Sequence, residues 1–424
     1  MASLLHTARE RRRDAPHAVA RLIPKAVPAP TCAAPCTSFG TSPPEDVACS
    51  PADSFLASCA SLGSSFSELS LGSSFDPPAH LPFLPRTTSL VRKPLPDEHA
   101  SFLRKTLKKL RPGQQLPARK VRILGRGGVG EVTLLELNLP ASTDANSDGN
   151  ASKNCSKSGG GTLLLAHKAI TCRRYDAARH ARELAAMEAA AAGCPFILRV
   201  YGSSLPIGKP PYAIYTEYAP LGSLADLIES RRRHRGPRYR TAVATDPQQL
   251  SYFDEHEIRW LAARVLAALV HLHSLGLVHR DVSPHNIYRS ASGHPLLADF
   301  DAVAAVDEDG YVYGTAGRLS CAAPEVRAAA YGGGPYNGAR ADMWGLGAVL
   351  LEMVSEQELC QGPTLEECSE ALRDLILGGL LVPQARRLDA AAAQAHPFFE
   401  GVDWSRLEFE PAPLGLGPDG LLDE

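Results

Sequence analysis

Residues His279 to Asn286 read His-Arg-Asp-Val-Ser-Pro-His-Asn, and Asp299-Phe300-Asp301 follows the short apolar run Leu296-Leu297-Ala298. Both stretches read as loops leaving short strands. Together they could bring a general base, Asp281, next to two hard-oxygen ligands for magnesium, Asn286 and Asp299. Such a set suits phosphoryl transfer, a reaction whose catalysis is mostly positioning plus neutralisation of phosphate charge.

Other residues fit the same chemistry. The segment Val121 to Val132, with Leu124-Gly125-Arg126-Gly127-Gly128-Val129-Gly130-Glu131-Val132 at its end, predicts a strand, a glycine-rich turn and a second strand. Glycines spaced G-x-G-x-x-G let backbone N–H groups approach a phosphate that a Cβ would obstruct. A dinucleotide fold would place a helix after the third glycine, whereas Glu131 to Leu139 continues as strand. Alone the motif also fits an ordinary glycine-rich hairpin. The strand Leu163 to Ile170 carries one lysine, Lys168, which in so apolar a setting needs an anionic partner. The Ala-rich helix after it offers Glu183 and Glu188. At about 100° per residue these point in different directions, so one alone faces Lys168; Glu183, with Leu184 and Met187 packing beside it, is preferred.

The elements that must hold these residues are legible in outline. Tyr212-Ala-Ile-Tyr-Thr216-Glu217-Tyr-Ala219-Pro-Leu-Gly222 predicts an apolar strand running into a connector whose backbone could bind a planar base. Ser251-Tyr-Phe-Asp254 reads as a capping box, and Ile258, Leu261, Val265, Leu269 and Leu272 recur at helical spacing until Gly276 ends the helix. A Ser/Asn/Gly-rich stretch, 141–161, reads as an insertion in a hairpin.

Composition narrows the classes. The 424 residues leave room for one large two-lobed domain or two ordinary ones, and the formal net charge of −2 gives no general pull toward nucleic acid or anionic membrane. The longest apolar stretches, such as Leu375 to Val382, fall short of the roughly 20 residues of a spanning helix. Ten scattered cysteines without zinc spacing read as reduced thiols of a cytoplasmic protein. Residues 28–96 are rich in Ser, Pro and Ala and carry a duplicated hexapeptide, Ser61 to Phe66 and Ser70 to Phe75, a composition that predicts disorder over 1–100. The Arg-rich N terminus fits an organelle transit peptide or a solvated basic tail, and the tail is preferred. Ser101 to Leu110 predicts a basic amphipathic helix, either a docking or autoregulatory element or a solvated lead-in, and the lead-in is preferred.

Taken in order, these motifs resemble a eukaryotic protein kinase domain of serine/threonine type over residues 116–404. Ala323-Pro324-Glu325 resembles the A-P-E that closes an activation segment, Asp342-Met-Trp344-Gly-Leu-Gly347 the D-x-W-x-x-G of a central helix, and Pro383-Gln-Ala-Arg386 the P-x-x-R whose arginine would pair with Glu325. His396-Pro-Phe-Phe399 with Val402-Asp-Trp404 is similar to the end of AGC-group domains, and the connector resembles that of Aurora-type enzymes, although no Phe-x-x-Phe precedes Glu424. The resemblance implies an α+β, two-lobed fold with a mainly β N-lobe (about 116–216), a mainly α C-lobe (about 223–404) and a short tail, 405–424. It implies ATP and Mg2+ as cofactors. ATP would be held by Leu124 to Val132, Ala166, Lys168, Thr216, Glu217 and Ala219, with Glu183 orienting Lys168, Asp281 as base, and Asn286 and Asp299 on the metal. Its partners would be a protein substrate and a regulatory partner or upstream kinase.

Two positions depart from the family. Ser283 stands where a lysine would contact the γ-phosphate; His285, four residues after Asp281, could return part of that charge as an imidazolium, or be a solvent-edge residue. Asp301 stands where a glycine would let the segment flip, and aspartate tolerates unusual backbone angles better than most residues. Arg280 would pair with a phosphorylated segment or with the acidic run Asp307-Glu308-Asp309. Cys321 replaces the tyrosine that usually precedes A-P-E, and the Thr315-to-Ala323 spacing is longer than usual. An active serine/threonine kinase is therefore the first expectation, and a pseudokinase that binds nucleotide and acts as a scaffold the second. A small-molecule phosphotransferase is a distant third, because such enzymes lack A-P-E and D-x-W-x-x-G.

Overall fold

The computed structural model describes residues 97–127, 129–139, 161–173, 175–204, 211–234, 253–319, 322–355, 365 and 368–417. The expectations for residues 1–96, for Gly128, for the insertion at 141–160 and for Cys321 lie outside the described residues.

The chain enters the fold through α1 (Asp97–Lys109), which is not the solvated lead-in expected from its charge. Leu103 and Leu107 are buried with Leu116, Tyr201 and Tyr215, so its apolar stripe packs on the sheet while the lysines face water. The sheet is antiparallel, with β1 (Arg119–Arg126), β2 (Gly130–Asn138), β3 (Thr162–Ile170), β4 (Val200–Ser204) and β5 (Tyr212–Glu217) ordered β1-β2-β3-β5-β4. Its register sets Val132 opposite Lys168 and Ala166 opposite Thr216. The end of the glycine-rich hairpin, the lysine and the connector thereby share one surface. Helix α2 (Ala177–Ala191) crosses behind β3 and β4, with Asp176 capping its first turn through the Arg179 N–H (2.7 Å).

The second lobe is built on α3 (Leu224–His234) and α4 (Glu255–Ser274), whose predicted core residues Ile258, Leu261, Val265, Leu269 and Leu272 are all buried. The cap of α4 lies three residues later than expected. Asp254 accepts from the Glu257 N–H (2.7 Å), and Glu257 accepts in return from the Asp254 N–H (3.1 Å). The charged oxygen of Asp254 also meets the positive end of the helix dipole. Gly276 (φ +69°) turns the chain into β6 (Leu277–Val278), which pairs with β9 (Ala304–Ala305). Between them β7 (Ile287–Arg289) pairs with β8 (Pro295–Leu297), and β10 (Tyr311–Val312) pairs with β11 (Tyr336–Asn337). Helices α5 (Pro324–Ala330) and α6 (Gly338–Val354) follow, with α6 buried along most of its length.

The expected Glu325 to Arg386 pair is corrected. Arg387 holds Glu325 instead, with Nη2 donating to Oε2 (3.1 Å), while Arg386 is exposed. Both backbone N–H groups donate to Pro383 O in one turn, and the extra residue points the second arginine inward, where Nη1 reaches Arg340 O (2.7 Å) and Nη2 reaches Val382 O (2.9 Å). The described part of the short tail, 405–417, packs on the second lobe. Leu407 and Leu416 are buried, and Arg264 donates to Leu407 O (2.7 Å) and pairs with Glu410 (2.9 Å).

Candidate active site

The loop that follows β6 is pinned from below. Asp342, at the start of α6 and fully buried, accepts from the N–H groups of His279 (2.8 Å) and Arg280 (2.7 Å) and from His273 Nε2 (2.9 Å). A buried carboxylate with three donors can hold backbone in a costly conformation, and Arg280 sits at φ +65°. His279 Nε2 bonds Ala298 O (2.9 Å), and the Ala298 N–H donates to Asn286 O (2.8 Å), so the loops carrying Asp281 and Asp299 are tied to each other.

Asp281 and Asn286 are brought together. Asn286 Nδ2 donates to Asp281 Oδ2 (2.7 Å) and to Asp281 O (2.8 Å), which turns its amide oxygen away from the base. Asp299 lies at φ +60°, the other non-glycine residue with a positive φ among those described. Its side chain is 43% exposed, and Lys168 Nζ binds its Oδ1 at 2.8 Å. An amide oxygen and an exposed carboxylate are the donor types Mg2+ takes, so these residues fit that ion.

Lys168 also binds Glu183 Oε1 at 2.9 Å, as preferred from sequence, while Glu188 is exposed. Burial alone would depress the Lys168 ammonium, but the carboxylates of Asp299 and Glu183 outweigh it and raise the pKa. Burial raises Glu183, and Lys168 and the Tyr175 hydroxyl, which donates to Oε2 (2.5 Å), oppose that rise only in part. For Asp299 the balance reverses: burial pushes up, yet Lys168 holds it below the usual carboxylate range.

The glycine-rich turn closes through Gly127 N–H to Gly130 O (2.9 Å) and Gly130 N–H to Gly127 O (3.2 Å). A Cβ on Gly130 would lie 1.9 Å from Ala169 O, so only glycine lets β2 approach β3 there. Arg126 pairs with Glu131 (2.9 Å) across the exposed edge of the turn. At the connector, Thr216 is buried, Glu217 N–H donates to Arg199 O (2.9 Å), and Gly222 N–H donates to Ala219 O (3.4 Å).

The residues that depart from the family pattern are placed in unexpected company. Asp301 does not occupy a left-handed position; it lies in the tight turn Phe300–Ala302, and the unusual angle falls on Asp299. Its carboxylate takes a two-pronged bond from Arg179 of α2, Nε to Oδ1 at 2.7 Å and Nη2 to Oδ2 at 2.6 Å. Arg179 carried no signal in the sequence beyond its helix phase. Arg280 does not meet the acidic run: its guanidinium donates to Ala302 O (2.6 Å) and Tyr313 O (3.5 Å), whereas Asp307 closes a local turn with Asp309 and Tyr311. His285 is exposed, the place the preferred solvent-edge reading gave it. Partial burial and the charge of Arg318, whose Nη1 lies 2.9 Å from His285 Nδ1, lower its pKa.

A cavity of about 380 Å³ opens between α2 and the segment after Asp299, lined by Arg179, Arg182, Arg280, Asp281, Asp301 and Thr315 among others. Thr216, Glu217 and Ala219 of the connector do not line it.

The model of the protein kinase domain matches residues 149–399, more than half of the chain. The chain belongs to the protein kinase domain family. Its kinase domain is similar to those of known Ser/Thr kinases: 31% identical over 40% of the chain to a protein of Dictyostelium discoideum described as a probable serine/threonine-protein kinase, covering 42% of that protein. It is 28% identical over 51% of the chain to a probable cAMP-dependent protein kinase catalytic subunit of Encephalitozoon cuniculi, covering 64% of it, and 34% identical over 39% of the chain to 3-phosphoinositide-dependent protein kinase 1 of Arabidopsis thaliana, covering 39% of it. The matches thus span less than two thirds of these relatives. The two-lobed α+β kinase fold and the AGC-type kinship expected from sequence are both seen here, and no helix among the described residues is long and apolar enough to cross a membrane.

Proposed function

We propose that the chain transfers the γ-phosphate of ATP to serine or threonine hydroxyls of protein substrates. The observation that carries this reading is the closed chain of contacts Glu183–Lys168–Asp299 at one end and Asn286–Asp281 at the other, on loops bonded to each other. A scaffold needs none of these residues jointly. In the reaction the hydroxyl oxygen bonds to the γ-phosphorus, the bond to the β-phosphate oxygen breaks, ADP leaves, and the hydroxyl proton goes to Asp281. Lys168 would hold the α- and β-phosphates, the turn from Leu124 to Val132 would cover them, and Ala166, Thr216, Glu217 and Ala219 would border the adenine. Mg2+ on Asn286 and Asp299 would neutralise phosphate charge.

Thr315 lines the same cavity as Arg179, Arg182 and Arg280, beside the carboxylates of Glu183, Asp281, Asp299 and Asp301, so an upstream kinase acting on Thr315 would set a dianion in competition with those carboxylates for the arginines. The test is incorporation of labelled phosphate from Mg-ATP into a degenerate Ser/Thr peptide library by the purified chain, beside Asp299→Asn. Transfer lost in the variant supports the reading; equal incorporation, or none in either, sinks it in favour of a pseudokinase scaffold.

A further inference from the structure

The catalytic loop brings no cation of its own to the acceptor side of Asp281. Arg280 is turned to Ala302 O and Tyr313 O, and Lys168 is engaged by Glu183 and Asp299. A cation arrives from another segment. The Arg318 N–H donates to Asp281 Oδ1 (3.2 Å), its Nη2 donates to Ser283 Oγ (3.3 Å), and its Nη1 meets His285 Nδ1 (2.9 Å). A guanidinium can only donate, so Ser283 Oγ and His285 Nδ1 both accept through lone pairs, and among the described residues no carboxylate lies within ion-pair distance of this guanidinium. A fork held by two neutral acceptors can exchange them for phosphate oxygens at small cost, because the charge-assisted bonds gained are the stronger ones.

The close approach is built into the backbone. Gly317, at φ +76°, lies so near the loop that a Cβ would stand 2.5 Å from Arg280 O and 2.8 Å from Asp281 Oδ1. Glycine at 317 is therefore what lets Arg318 reach Ser283 from the opposite side of the site.

We propose, resting on the kinase reading above, that Arg318 is a catalytic residue. Its guanidinium contacts the γ-phosphate oxygens and neutralises charge that develops on them during transfer, the part for which the loop itself offers only the hydroxyl of Ser283. Arg318 neither gives nor takes a proton in this step.

The experiment uses the full chain, Mg-ATP and the degenerate Ser/Thr peptide library, with Mg-ATP and Mg-ADP affinities measured separately by calorimetry. Arg318→Ala lowers kcat roughly 100-fold, the scale of deleting one electrostatic donor, and lowers the preference for ATP over ADP about tenfold while Mg-ADP affinity stays within about twofold. Ser283→Lys added to Arg318→Ala restores at least about tenfold of the lost kcat, by supplying the charge from the loop. An Arg318→Ala variant with parental kcat and an unchanged ATP-over-ADP ratio overturns the proposal. So does a rise in kcat, which would make Arg318 a plug, or a loss that Ser283→Lys leaves unrepaired. The nucleotide ratio needs no turnover: if the parent transfers nothing yet Arg318→Ala lowers the ratio, the kinase reading falls and the γ-phosphate contact stands.

Discussion

The inner wall of the site, under α2, and its outer wall, along Asp281 to Asn286, hold their charges by opposite means. Inside, Lys168 bonds Glu183 and Asp299, Tyr175 bonds Glu183, and Arg179 pairs with Asp301, so each charge depends on its neighbours. Outside, His285 and Arg318 are exposed, and Arg318 touches neutral groups. Buried pairs become costly when one partner is removed, whereas exposed charges contribute little to stability and can act on a ligand. The inner wall should therefore be read by folding, and the outer wall by rate.

The largest expected effect tests the outer wall. Asp281→Asn lowers kcat by about 1,000-fold, within the range for loss of a general base, with no fall in the thermal midpoint. A midpoint lowered by several degrees would place Asp281 with the structural charges and break the contrast.

A buried pair away from the site carries the same contrast between buried and exposed charge. Arg387→Ala strands Glu325 and costs about 3–5 kcal/mol in urea unfolding, whereas Arg386→Ala, one residue earlier but exposed, stays within about 0.5 kcal/mol. Equal effects would restore the pairing read from spacing alone.

The third expectation concerns pH. Burial lowers His180, which packs beside Tyr175, to about 4. The unfolded chain then binds the extra proton below pH 6.5 while the folded one does not, so stability is full above 6.5 and falls as the pH drops toward 4. The loss attributable to His180 is about 3 kcal/mol, and His180→Gln flattens the stability profile over that window. A variant profile parallel to the parent's would remove His180 from the inner wall.

The smallest effect lies where the inner wall meets solvent. The Arg179–Asp301 pair, 37% and 15% exposed, couples by about 1 kcal/mol in a double-mutant cycle with Ala at each position. Additive single effects would show that Asp301 does not clamp α2.

Short-range pattern announced the inner wall well. The glycine spacing and a lone lysine in an apolar strand marked the site, helix phase showed that one of Glu183 and Glu188 alone could face Lys168, and the buried stripe of α4 was legible from its period. Register within a turn was less so, as the one-residue slip from Arg386 to Arg387 and the cap at Asp254 show, because a turn can add a residue without changing composition. Likewise, the charge of α1 was read as solvation, while its apolar stripe went to the sheet.

The sequence by itself determined the family and the two lobes, and it named Lys168, Glu183, Asp281, Asn286 and Asp299 as candidates, because each sits in a motif made by neighbours a few residues away. Only the tertiary structure decided what Ser283, His285 and Asp301 do. Their partners, Arg318 and Arg179, lie 35, 33 and 122 residues distant, and no local spacing encodes a contact between side chains that meet only after the lobes have folded.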